Sequence, residues 1–403
     1  MLKKVPVSQL SVGMYLHALE GNWLDHPFWR NGFLISDERT LKKVRESGVQ
    51  HAFIDVVKGS DAPPPAPEPV RVTQPTPAPP PPPKVEKVSL AEEIEYATKL
   101  RARSAQAMKD LHTEARMGKA IDTSECNSLV SDVADSIDRH PDAFRSLARL
   151  KTADEYTYMH SVAVCALMVS LGREIGLNEA ECREAGLAGM LHDLGKALMP
   201  MEILNKPGKL TPEEFDIIKT HPRRGYELLV GAKNIPAGVL DVCLHHHERF
   251  DGTGYPEKLG ADKLTRFARM GAICDVYDAV TSDRPYKAGW DPAQALTQMA
   301  SWQGHFDRDM FKSFIRCIGI YPTGSLVRMR SGKLAVVLEQ NTAALTKPKV
   351  KLFFSTRSNE PIRREVIDLA TDTRDQIEAP EPPEKWNFPW LNELCGLTPP
   401  SGG

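Results

Sequence analysis

No stretch of this chain is apolar for long enough to span a bilayer, and its start, MLKKVPVSQL, turns polar too soon for a signal peptide. Cysteine is sparse and unpatterned. The seven thiols (Cys126, Cys165, Cys182, Cys243, Cys274, Cys317 and Cys395) are scattered, odd in number and nowhere spaced C-x-x-C, which reads as reduced thiols in a cytosolic protein. An excess of one charge is lacking too. With 51 Lys and Arg against 53 Asp and Glu, net charge -2 and no basic arm, a nucleic acid polymer has no electrostatic claim on the surface. A small anionic ligand needs only a local cluster of cations and stays open. The expectation is a cytoplasmic protein with no membrane insertion.

What is present suits two or three domains: 403 residues, 41% hydrophobic and 26% charged, enough for a sizeable core. Residues 1–58 read as a small α+β module, with a strand or two between Val5 and Leu16, a helix from Asp37 to Gly48 and a strand from His51 to Val57. Trp23, Phe28, Trp29 and Phe33 read as its core. Residues 59–88 hold a Pro-rich linker, because the run from Ala62 to Pro83 removes donors and fixes φ. Residues 89–150 are connector helices, the first opened by the capping box Ser89-Leu90-Ala91-Glu92. That helix could pair with a second copy, making a homodimer, or pack on the next domain.

Residues 151–321 read as helical almost throughout. Thr211-Pro212-Glu213-Glu214 opens a helix expected to end near His221, because Pro222 follows. Residues 322–371 carry short β-type runs (Leu326–Met329, Leu334–Leu338, Lys349–Phe354), and residues 372–403 read as an extended tail. The fold class expected is mainly α, with a small α+β module before the helical core and a small β appendage after it.

The chemistry concentrates in that helical part. His245 to Pro256, HHHERFDGTGYP, packs three histidines, a glutamate, an aspartate and a Gly-Tyr-Pro turn into twelve positions. Upstream lie His160, the pair His192-Asp193, Lys196 and His221; downstream lies Asp275. Imidazoles and carboxylates without thiolates suit borderline-to-hard divalent cations. Neighbours such as His192-Asp193 diverge by about 100° on a helix, so both reach one cation only at a helix end or across its face. Lys196, one turn on, could neutralise a phosphate oxygen. Glu248 and Asp251 could fix the imidazoles of His246 and His247.

Three linked motifs carry a resemblance: His192-Asp193-x-x-Lys196, His221-Pro222-x-x-Gly225 and His246-His247-Glu248-x-x-Asp251-Gly252-x-Gly254-Tyr255-Pro256. With Asp275-x-x-Asp278 and Thr281 to Lys287, residues 150–320 resemble the HD-GYP subfamily of HD-domain phosphohydrolases. Residues 1–58 resemble the N-terminal domain of unknown function that precedes many bacterial HD-GYP domains. The resemblance implies a phosphodiesterase for cyclic di-GMP, yielding pGpG and then GMP through a hydroxide that bridges two metals, Fe or Mn. The implied metal ligands are His160, His192, Asp193, His221, His246, His247 and Asp275. Asp193 bridges, and Asp193 and Lys196 carry the catalysis. Lys196 contacts the scissile phosphate, while Tyr255, Asp278, Arg284 and Lys287 hold the dinucleotide. Tyr156 stands where family members with a third metal have a glutamate, and a phenol is a poor substitute for a carboxylate, which implies two metals. His245 is a neighbour rather than a ligand. Two other readings stay open: a non-hydrolysing cyclic di-GMP sensor or scaffold that meets diguanylate cyclase partners through the GYP loop, and an HD phosphohydrolase for another nucleotide.

Overall fold

The computed structural model describes residues 2–19, 32–46, 49–61, 87–149, 156–282 and 289–397; the side chains of Leu19, Ala148, Arg149, Tyr156 and Glu384 are not among those described. The expected aromatic positions Trp23, Phe28 and Trp29, the helix end at Gly48 and the linker run Ala62–Pro83 lie outside these residues. So do Arg284 and Lys287. The chain divides into two compact units, residues 1–82 and 83–403.

In the first unit an antiparallel sheet has the order β1-β4-β2-β3, formed by β1 (Leu2–Pro6), β2 (Tyr15–Leu19), β3 (Phe33–Leu34) and β4 (His51–Asp55). Alternate residues of β4, Ala52 and Ile54, point inward, as a half-buried strand requires. They meet Val5, Leu16, Leu41 and Val44, the last two on α1 (Glu38–Arg45). Asp37 caps that helix by accepting from the Thr40 N–H at 2.8 Å.

The second unit is mainly helical. After α2 (Leu90–Arg116) come α3 (Ser124–Arg139), α4 (Pro141–Arg149), α5 (Tyr156–Glu174) and α6 (Glu179–Leu191). They are followed by α7 (Met201–Leu204), α8 (Pro212–Ile218), α9 (His221–Val230), α10 (Ala237–His245), α11 (Arg266–Thr281), α12 (Pro292–Ser301) and α13 (Arg308–Ile318). Among the described residues no helix is long and apolar enough to cross a membrane. Of the two expectations for α2, the structure shows packing within the unit. Ile94, Ala97, Leu100, Met108, Leu111 and Ala115 are buried in one core with α5 and α6. Glu93 of α2 is buried too, and its carboxylate accepts from Arg139 Nε at 2.7 Å, Arg139 Nη2 at 2.8 Å and Ser136 Oγ at 2.7 Å, all on α3.

The expected helix end at His221 needs correction. α8 stops at Ile218 and a new helix begins at His221. Pro222 is harmless there, because first-turn N–H groups have no intrahelical partner.

A five-stranded antiparallel sheet, order β8-β7-β6-β5-β9, follows: β5 (Leu326–Met329), β6 (Lys333–Glu339), β7 (Lys349–Ser355), β8 (Glu360–Asp368) and β9 (Ile377–Pro380). Leu326, Leu334 and Val336 join the helical core, while Val327, Ala335 and Val337 fill a second core on the opposite face. Residues 372–397 also differ from the extended tail expected. They contribute β9 and α14 (Leu391–Leu394), and the rings of Trp386, Phe388 and Trp390 pack on Phe353 and Phe354. Leu391, Leu394, Cys395 and Leu397 end in the helical core.

Because Glu93 is buried and its guanidinium partner is not replaced, Glu93→Ala strands Arg139 and Ser136 together. The expected cost is about 2–4 kcal/mol of unfolding free energy, read from the urea midpoint of the second unit. A shift under about 0.5 kcal/mol would show that α2 is not held by this pair.

Candidate metal centre

The helix ends assemble the site. His192 is the residue on which α6 closes, and Asp193 already leaves the helix. The 100° divergence of a vicinal pair is thereby cancelled, and both side chains face one point. His221 opens α9, His246 closes α10 with His247 next, His160 comes from inside α5, and Asp275 and Asp278 lie one turn apart on α11. Two close approaches bring these ends together. A Cβ on Gly195 would lie 2.0 Å from the His221 carbonyl, so the turn after Asp193 and the first turn of α9 touch backbone to backbone. A Cβ on Gly254 would lie 2.4 Å from the Arg249 nitrogen, which folds the GYP loop tightly behind His247.

Backbone carbonyls fix the imidazoles. Nδ1 of His192 donates to Gly189 O at 2.7 Å, that of His221 to Ile218 O at 2.7 Å, and that of His246 to Val242 O at 3.0 Å. In its neutral form each ring therefore presents a bare Nε2 lone pair to the centre. Nε2 of His221 and Nε2 of His246 are 3.2 Å apart, two lone pairs facing each other. Nε2 of His192 and Oδ1 of Asp193 are buried without a hydrogen-bond partner. Burying acceptors in this way is unfavourable unless something positive lies between them.

All seven expected ligands come together. Three overlapping groups, His221-His246-His247, His160-His192-Asp275 and His192-Asp193-His246, each hold their donor atoms within 4.8 Å. Asp193 spans them: Oδ1 is 3.2 Å from His221 and 3.7 Å from His246, while Oδ2 is 3.4 Å from His192 and 3.5 Å from His160. Lys196 Nζ meets Asp193 Oδ2 at 2.5 Å and stays partly open to solvent.

The electrostatics ask for positive charge. Burial pushes His246 well below its ordinary value and His247 down to about 3, so both are neutral donors. Burial also opposes charge on His192, but Asp193 and Asp275 overcome it and raise that ring to about 10. Burial would raise Asp193, yet Lys196 and His192 hold its carboxyl well below the carboxylate range. Buried carboxylates with converging neutral imidazoles and orphaned acceptors fit divalent cations.

Three expected roles change on this geometry. Asp278, expected to hold substrate, is buried and accepts from His160 Nδ1 at 2.6 Å, leaving Nε2 of that ring 3.0 Å from Asp275. It braces the His160 ring instead. Glu248 and Asp251 do not brace the imidazoles. Glu248 accepts from the N–H groups of Glu257 at 2.6 Å and Leu259 at 3.1 Å, clamping the GYP loop. Asp251 accepts from the N–H and hydroxyl of Thr253 within that loop. Tyr255 stacks on His247 with ring centroids 4.7 Å apart, and burial pushes its phenol up. His245 lies apart from the groups, on Asp241 at 2.8 Å. One contact on the Lys196 turn left no trace in the sequence: Arg116 of α2 donates from Nε to the carbonyl of Ala197 at 3.0 Å.

Comparison with known proteins agrees with the geometry. The HD domain family matches residues 133–310, and a domain of unknown function, DUF3391, matches residues 2–126. A cyclic di-GMP phosphodiesterase of Pseudomonas aeruginosa is 51% identical over 405 residues, spanning 100% of this chain and 98% of that protein. The chain belongs to the HD-GYP family of HD-domain phosphohydrolases. Two further relatives match less than half of this chain. A cyclic di-GMP phosphodiesterase response regulator of Xanthomonas campestris is 40% identical over 180 residues, 42% of this chain and 47% of that protein. A cyclic di-GMP phosphodiesterase of Thermotoga maritima is 35% identical over 180 residues, 43% of this chain and 49% of that protein.

Since Asp278 orients His160, Asp278→Asn should weaken metal affinity ten- to a hundredfold, as measured by competition with a chelator on the purified chain. Unchanged affinity would remove Asp278 from the centre. Gly254→Ala should displace the loop and release the Glu248 clamp, seen as faster amide exchange at Glu257 and Leu259. Unaltered exchange would show that the loop tolerates a Cβ.

Proposed function

We propose that this HD-GYP enzyme is a metal-dependent phosphodiesterase that hydrolyses cyclic di-GMP to pGpG and then to GMP, lowering the second messenger. The observation that carries the reading is the convergence of seven histidine and aspartate side chains on a centre with orphaned buried acceptors. His160, His192, Asp193, His221, His246, His247 and Asp275 would hold two cations, Fe or Mn, with Asp193 offering both of its carboxylate oxygens. Two such cations supply Lewis acidity and ionise a water near neutral pH.

The chain's own residues do the rest. Hydrolysis would break one P–O bond to a ribose oxygen, water supplying both the hydroxyl that stays on phosphorus and the proton that the ribose oxygen takes. Lys196, anchored on Asp193 and partly exposed, would take up charge on a non-bridging phosphate oxygen. Tyr255, held against His247, would meet a guanine or sugar. Arg284 and Lys287 complete the grip on the dinucleotide. His160, steadied by Asp278, keeps Asp275 in line.

The chain reconstituted anaerobically with Fe(II), and separately with Mn(II), should release pGpG and GMP from cyclic di-GMP. The double variant His192→Ala/Asp193→Ala should lose both the metals and the turnover. Lys196→Ala should keep the metals and lower kcat about a hundredfold. Two bound metals and tight cyclic di-GMP binding without product would overturn hydrolysis in favour of a sensor or scaffold.

A further inference from the structure

The turn that carries Lys196 is a 3₁₀ helix over Leu194–Leu198, directly after Asp193. In such a turn each carbonyl accepts from the N–H three residues on. For Ala197 that residue is Pro200, which has no N–H to give. Among the described residues no other backbone N–H reaches this carbonyl. Ala197 is 2% exposed, so solvent has little access to it either. A buried carbonyl without a donor is costly, and folded chains nearly always supply one.

Here the donor comes from α2. Arg116, the last residue of that helix, gives its Nε–H to Ala197 O at 3.0 Å. This end of α2 lies in the segment matched by the domain of unknown function and outside the one matched by the HD domain. A cation in the last turn also suits the helix dipole, but any residue of that turn would serve for that. The bond to Ala197 belongs to this position alone. On the other side of the Lys196 turn, Gly195 packs against the His221 carbonyl. Lys196 thus sits between two residues that are held from opposite helices, α9 and α2. Its own N–H donates to Asp193 O at 2.9 Å, and its carbonyl accepts from the Met199 N–H at 3.1 Å. A shift of Ala197 is therefore passed directly to Lys196.

Resting on the reading above, we propose that Arg116 is a positioning residue: through the Ala197 carbonyl it holds the Lys196 turn so that the ammonium meets the phosphate. It touches neither the metals nor the substrate. The turn is then seated by a helix from outside the HD domain, and α2 serves catalysis as well as packing.

The test is a double-mutant cycle on the metal-loaded full-length chain, reading kcat, KM, metal content and amide exchange. Arg116 is exposed, so its replacement leaves the apolar core intact. Arg116→Ala should lower kcat about tenfold, because small displacements of a reacting group are expensive, with KM within about twofold and metal content unchanged. Arg116→Lys keeps a donor and should recover most of the loss. In a Lys196→Ala chain the same Arg116→Ala change should lower kcat by less than about twofold, since the group it positions is gone. The Met199 amide, which closes the turn, should exchange faster in Arg116→Ala. An unchanged kcat in Arg116→Ala would overturn the proposal. So would an equal loss in both backgrounds, which bypasses Lys196, or a loss of metal that accounts for the missing turnover. A wild-type chain that binds cyclic di-GMP without hydrolysing it would sink the hydrolytic reading alone. Met199 exchange would then decide Arg116, unaltered rates overturning its role and faster rates upholding it.

Discussion

Three histidines at helix ends give their Nδ1 protons to backbone carbonyls of the preceding turn, at Gly189, Ile218 and Val242. The last carbonyls of a helix keep a lone pair free, so an imidazole just past the end can donate to one and be oriented in the same stroke; Val242 O is shared with the His246 N–H. This one arrangement sets the tautomer, the direction of each Nε2 lone pair and the meeting point of three helices. The glycines follow from it. Gly195 lets the turn behind Asp193 touch the first turn of α9 so that His221 can reach the same point as His192. Placing the lone pairs so close, without protons between them, is tolerable only if cations complete the centre.

The vicinal pairs were readable in the sequence because two adjacent donors are informative wherever a helix is about to end, and residue type alone distinguished a cation site from a thiolate one. Their partners were harder. Asp278 lies three residues from Asp275 on one helix face, and spacing cannot say which carboxylate meets a cation and which backs a histidine. Glu248 follows two ligands directly, which suggested an imidazole brace; the tight approach at Gly254 instead turns the loop's N–H groups toward it. Arg116 gave no local signal, since an arginine in the last turn of a helix matches an ordinary charge at a helix end.

Elements followed the same division. Capping boxes at Ser89, Asn178 and Thr211 mark helix starts with local chemistry and are visible in one dimension. Pro222 was ambiguous because it is compatible with both the end of one helix and the start of the next. β8 was missed because seven of its nine residues are exposed and five carry charge, so the alternation that announces a half-buried strand is erased. The aromatic residues of 386–390 looked like a tail because their partners, Phe353 and Phe354, lie on a strand some thirty residues earlier.

The C-terminal residues that plug the helical core bear on how the enzyme is made. Leu391, Leu394, Cys395 and Leu397 pack in the same apolar body as Ile94 and Ala97 of α2. At ribosomal rates of about 5–20 residues per second, α2 waits on the order of tens of seconds for its last neighbours. During that interval the helices that carry the ligands lack part of their support. The nascent catalytic core therefore leaves part of its apolar surface uncovered until residue 397 has cleared the ribosome.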